Sequence, residues 1–310
     1  MRFQSTRTIS LWCALIASLT CAPVVVAHCD AGSACNCPDC PIERSYKQSH
    51  WHVIETENFK VSSAESRSRA EDLAKHAEGL RSELRPKWLG QANVPWNPKC
   101  EIVLHAKLGS YVSAVGRGSE RTVGSSLLKA DNGKILSRRI DLLGGRTDFL
   151  TAALPHELTH VVVHERFAKT SMPRWADEGI AILADPESKQ GRHRNDLNKA
   201  VAIGNTFPAG ALLTLSEYPR PDQFGVFYGQ SASLTEFLVQ RRTPQAFIEF
   251  IERANLLGYE SALRTCYHIT SLGELDRKWR DNSLASLSQL AIARRQAMAQ
   301  SPARASMGTP

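Results

Sequence analysis

Leu154-Pro155-His156-Glu157-Leu158-Thr159-His160-Val161-Val162-Val163 is the stretch from which the rest of the chain can be read. Positions i and i+4 share one face of an α-helix about one turn apart, so the imidazoles of His156 and His160 can converge on one ion. Glu157 lies beside them but rotated about the axis, where its carboxylate reaches a metal-activated water rather than the metal; such a water needs a base next to it. The three valines bury the helix in a core, and Pro155 either starts a new helix at the motif or kinks a longer one.

An HExxH pattern is short, so its context decides its meaning. A catalytic zinc is normally held by three side chains with one position left open, and a third ligand is therefore needed. The downstream stretch Pro173-Arg174-Trp175-Ala176-Asp177-Glu178-Gly179-Ile180-Ala181 offers Glu178. Taken alone, Glu178 would read equally as a solvated carboxylate at a helix start after Pro173. The combination of HExxH with Trp175-x-x-Glu178-Gly179 on a following helix resembles the gluzincin arrangement of thermolysin-like and aminopeptidase enzymes. In particular it is similar to the peptidase MA-like group of bacterial exported proteins, over most of the chain between Trp51 and Trp279.

The resemblance implies a zincin-like α+β fold, a zinc cofactor held by His156, His160 and Glu178, and Glu157 as general base. It also implies that Tyr228, in the Tyr228-x-Gln230-Ser231 stretch, donates a hydrogen bond to the oxyanion that develops during acyl transfer. A tyrosine beside Phe224 and Phe227 can equally be core. Asp177 reads either as the acceptor that fixes the tautomer of a ligand imidazole or as a helix-start charge. His164, at i+8, is too far along the helix to share the same ion. His50, His52, His105, His193 and His268 have no partner at metal spacing and read as structural. No glycine and third histidine follow His160 at metzincin distances. Arg138 and Arg139 lie on a possible edge strand, as substrate-orienting groups or a solvated face.

Around this centre the chain divides by composition. Of its 310 residues, 42% are hydrophobic and 22% charged, which is ordinary for a globular protein and excludes collagen-like and wholly disordered classes. Arg2 and Arg7 precede an apolar run, Leu11 to Val26, ending in Val25-Val26-Ala27, the layout of a secretory signal over 1–27. An uncleaved anchor fits less well because Ser18, Thr20 and Pro23 interrupt the run, and Leu19-Thr20 is a poor lead-in to lipidation at Cys21. Export of the mature protein, to the periplasm, cell surface or medium, is the expectation.

Removing 1–27 takes two arginines and no acids, so the formal charge falls from +7 to +5. That excess is spread out, with no basic run for a nucleic-acid groove and no further span for a membrane. Cys29, Cys35, Cys37 and Cys40 crowd a polar segment over 28–45, where local disulfides are expected outside the cytoplasm. A small metal knot on Cys37-x-x-Cys40 is the alternative. The catalytic domain then spans 46–298, as a sheet lobe over about 46–146 and a helical lobe over about 147–298, followed by a disordered tail at 299–310.

Within the sheet lobe, His52–Thr56, Phe59–Val61, Glu101–His105 and Lys134–Leu142 read as strands, and 64–85 as an amphipathic helix ended by Pro86 and Gly90. The connection before Lys134 reads as glycine-rich loop, and Gly116-Arg117-Gly118 within it as a turn rather than a phosphate cradle. Helices are expected over 148–168, 173–185, 193–204, 228–242, 244–254, 258–265 and 271–281. The function expected of the whole is an exported zinc-dependent metallopeptidase acting on peptides or proteins. A zincin-shaped binding protein without proteolytic activity, or a hydrolase of non-peptide amides, would use the same residues.

Overall fold

The computed structural model describes residues 41–145 and 148–285. Residues 1–27, expected to be a signal, Cys29, Cys35, Cys37, Cys40 and the stretch 299–310 expected to be a tail lie outside the described residues. The chain is a mixed α+β protein, with a six-stranded sheet on its amino-terminal side and a helical carboxy-terminal region. The strands are β1 (Ile42–Gln48), β2 (Trp51–Thr56), β3 (Phe59–Ser63), β4 (Cys100–His105), β5 (Gly124–Asp131) and β6 (Lys134–Leu143). Their spatial order is β1-β2-β3-β4-β6-β5. Strands β3, β4 and β6 run parallel, which requires crossovers, and α1 (Arg67–Leu89) makes the first of them.

One face of the sheet is apolar because the strands alternate in step. Ile54, Val61, Ile102 and Ile140 form a row across four strands, all fully buried against α1 and the motif helix. The other face carries Lys60, Glu101 and Arg139. On it the buried Asp141 accepts hydrogen bonds from Arg139 and pairs with His105 at 2.7 Å.

Several expectations change. Strand β1 begins at Ile42, inside the stretch assigned to the cysteine segment, because Tyr46 and Arg44 both bond Glu55 of β2 across the pair. The supposed loop before Lys134 contains α2 (Leu108–Val115) and β5, which returns to β6 through a two-residue turn. Asn132 and Gly133 there both have positive φ, 48° and 82°, as the tight hairpin turn requires. Strand β6 is consequently interior rather than an edge, and Arg138 does not lie on a solvated face. It is 5% exposed, stacks over Trp96 and pairs with Glu165 at 3.2 Å.

Helix α1 runs through Pro86 instead of stopping there. Proline supplies no N–H to the carbonyl four residues back, Ser82, and the Asn93 side-chain amide donates to that oxygen at 3.2 Å. The helix ends at Gly90, whose φ of 64° is the left-handed cap.

The helical region comprises α3 (Leu154–His164), α4 (Arg174–Ile182), α5 (Glu187–Ala202), α6 (Ala209–Leu213), α7 (Phe224–Arg241), α8 (Pro244–Leu257) and α9 (Tyr259–Tyr267), with residues 272–285 also helical. No helix among the described residues is long and apolar enough to cross a membrane.

Candidate metal centre

Helix α3 is preceded by a π-helical turn, Phe149–Ala153, and Pro155 falls in its first turn, where a missing N–H costs little. Every residue of α3 is buried, including His156, Glu157, Thr159, His160 and His164. Such polarity inside a core must be matched by partners. Thr159 returns its hydroxyl to the Pro155 carbonyl at 2.7 Å, and the other four face the sheet and α4.

Helix α4 is pinned so that Glu178 meets that face. Trp175 is fully buried, donates its indole N–H to the Tyr259 hydroxyl at 3.1 Å and stands edge-on to Phe247. Gly179 lies against α7 so closely that a Cβ would be 2.2 Å from Thr235 Oγ1 and 2.6 Å from the Ser231 carbonyl oxygen. The glycine after Glu178 is thus a packing requirement.

His156, His160 and Glu178 come together, each offering a ligand atom within 4.8 Å of the others. Glu178 Oε2 is 3.8 Å from His156 Nε2. The imidazole rings of His156 and His160 sit 5.0 Å apart at 78°. Both histidines are oriented through Nδ1, which pairs with Asp185 at 3.2 Å in His156 and with Asp177 at 2.7 Å in His160. This is the arrangement that fixes a ligand imidazole's tautomer and turns Nε2 toward a metal. His160 Nε2 and Glu178 Oε2 are buried with no hydrogen-bond partner. Two orphaned ligand atoms converging beside the second imidazole, that of His156, fit a divalent cation of the nitrogen-and-oxygen-binding type.

The reading of Asp177 as a tautomer-fixing acceptor agrees with its contact to His160. His164 is buried too, and its Nε2 lies 3.0 Å from the other oxygen of Asp177, so it abuts the site without joining the first three. A second grouping, His160, His164 and Asp177, has metal-compatible spacing, but it draws on the Asp177 oxygens that already engage both histidines.

Electrostatics reflect the burial. Burial holds His156 down to about 4, helped by the charge of Lys189. For His160, burial acts in the same direction but is outweighed by Asp177, and the group rises to about 9. Asp177 is held far below the usual carboxylate range because the two histidines outweigh its burial. Burial pushes Glu178 up to about 7 despite His160 and a hydrogen bond from Tyr218. Glu157 is also raised, by burial.

Three neighbours escape a reading of the motifs. Tyr218 donates to Glu178 Oε1 at 2.6 Å, leaving Oε2 for a ligand. Asp185 holds His156 and in turn accepts from Lys189 at 3.0 Å. Ser126 of β5 donates to Glu157 Oε2 at 2.8 Å. Tyr228 adjoins this group: it is 8% exposed, packed with Phe224, Phe227 and His193, and its ring is 6.4 Å from that of Tyr218.

Tyr218→Phe is expected to weaken divalent-cation binding by roughly 10- to 100-fold, the usual cost of losing a group that orients a ligand carboxylate. Competition with a chromogenic chelator reads this directly. An unchanged affinity would show that Glu178 needs no such support.

Compared with models of known protein families and with curated protein sequences, the chain matches none of them.

Proposed function

We propose that the protein is an exported zinc metallopeptidase of the gluzincin type on a zincin-like fold, with His156, His160 and Glu178 holding the ion and Glu157 as general base. One observation carries the reading: two orphaned buried ligand atoms, of His160 and Glu178, converge with the imidazole of His156, and a buried carboxylate lies one residue from that histidine. Zinc, when bound, supplies Lewis acidity at neutral pH, polarising an oxygen without protonating it.

The protein's own groups handle the protons. Glu157 accepts one from the attacking water as that oxygen bonds the carbonyl carbon, then delivers it to the leaving nitrogen as the C–N bond breaks. Burial suits the role, since a carboxylate raised by desolvation is a better base than a solvated one. Asp177 and Asp185 keep the two imidazoles in the tautomer that presents Nε2. Tyr228, adjoining Tyr218, is assigned the hydrogen bond to the developing oxyanion. A peptide substrate is favoured by the sheet: β5 has no strand on its far side among the described residues and packs on α3, so an extended chain can dock along it.

Metal analysis of the purified protein together with digestion of a broad peptide library tests the proposal. About one zinc per chain is expected, with cleavage abolished by a chelator and restored by zinc. Bound zinc without cleavage of any peptide would instead favour the non-proteolytic binding protein. No bound metal would overturn both.

A further inference from the structure

The apolar row across the sheet breaks at its last strand. Ile54, Val61, Ile102 and Ile140 are followed in register by Ser126, and the next row, through Leu104 and Leu142, ends at Gly124. Both positions face inward and are buried, where the alternation of a half-buried strand asks for large hydrophobic residues. What fills the space is Glu157. A Cβ on Gly124 would stand 2.7 Å from Glu157 Cγ and 2.9 Å from Oε1, and the Ser126 hydroxyl donates to Oε2 at 2.8 Å.

We propose that Gly124 and Ser126 form a seat built into β5 for Glu157, with Ser126 as a positioning residue that engages Oε2 so that Oε1 is the oxygen that carries the proton. This rests on the peptidase reading for its catalytic half, while the seat itself is a statement about packing. The physical case is that a buried carboxylate needs a donor and a fixed rotamer, and a general base displaced by about 1 Å can lose roughly 100-fold in rate. Glycine leaves room for the side chain, and serine is the smallest residue that fills the neighbouring place while offering one hydroxyl. Valine or isoleucine at position 124, normal for such a strand, would occupy the volume that Glu157 takes.

The test has two arms. In the zinc-loaded full chain, Ser126→Ala is expected to lower kcat by roughly 10- to 100-fold with KM and zinc content unchanged, and Ser126→Thr to recover most of the loss. In the metal-free protein, Ser126→Ala should lower the melting temperature by several degrees when Glu157 is present. It should lower it by less than about one degree in a Glu157→Leu background, where no acceptor remains. Equal melting costs in the two backgrounds would overturn the seat. An unchanged kcat in active enzyme would overturn its catalytic half. Failure of the wild-type protein to hydrolyse any peptide would count against the peptidase reading alone, since the melting cycle needs neither metal nor substrate.

Discussion

Glu157→Gln is expected to leave the cation in place and to lower hydrolysis by at least about a thousandfold, the upper part of the range for losing a general base. The replacement keeps the volume of a residue that is 1% exposed, and its amide oxygen can still accept from Ser126. Neither His156, His160 nor Glu178 is touched, so metal content measured by atomic spectroscopy should equal that of the wild type. The combination is what matters: loss of both metal and activity would make Glu157 a structural group, and full activity would end its assignment as base.

Glu178→Gln should act on the other half of the site, reducing affinity for the divalent cation by roughly a thousandfold or more, because one of three protein ligands loses its charge. Tyr218 can still donate to the amide oxygen, and the side chain remains fully buried among the same neighbours. The metal-free variant is therefore expected to melt within a few degrees of the metal-free wild type. Titration with zinc against a competing chelator measures the first effect and calorimetry the second. Wild-type affinity in this variant would remove residue 178 from the ligand set and with it the gluzincin arrangement.

The two predictions draw on what local sequence encodes well. HExxH and the tryptophan-glutamate-glycine stretch sit on single helices, where spacing along the chain converts directly into direction in space. The same holds for the stripe on α1 at Ala70, Leu73, Ala74 and Ala77. What spacing cannot encode is contact between distant segments. Tyr218 reaches Glu178 from forty positions away, Ser126 reaches Glu157 from thirty-one, and Asp185 reaches His156 from twenty-nine.

Strand β5 is a different kind of omission. Its signal, Asn132-Gly133 between two runs that could pair, is present in the sequence, but inward Gly124 and Ser126 break the alternation that marks a strand. Irregularity in the pattern coincides with the place where the candidate base sits. The Pro86 boundary misleads for a related reason, since the carbonyl it orphans is answered by Asn93 from beyond the end of the helix.

The putting together of this centre has a consequence for transplantation. The three candidate ligands and the two aspartates that aim the imidazoles all lie between His156 and Asp185. A fragment covering residues 154–185 would carry every one of these groups into a foreign helical scaffold. It would leave behind the hydroxyls of Ser126 and Tyr218, which belong to other parts of the chain. Such a graft should chelate and yet remain inert.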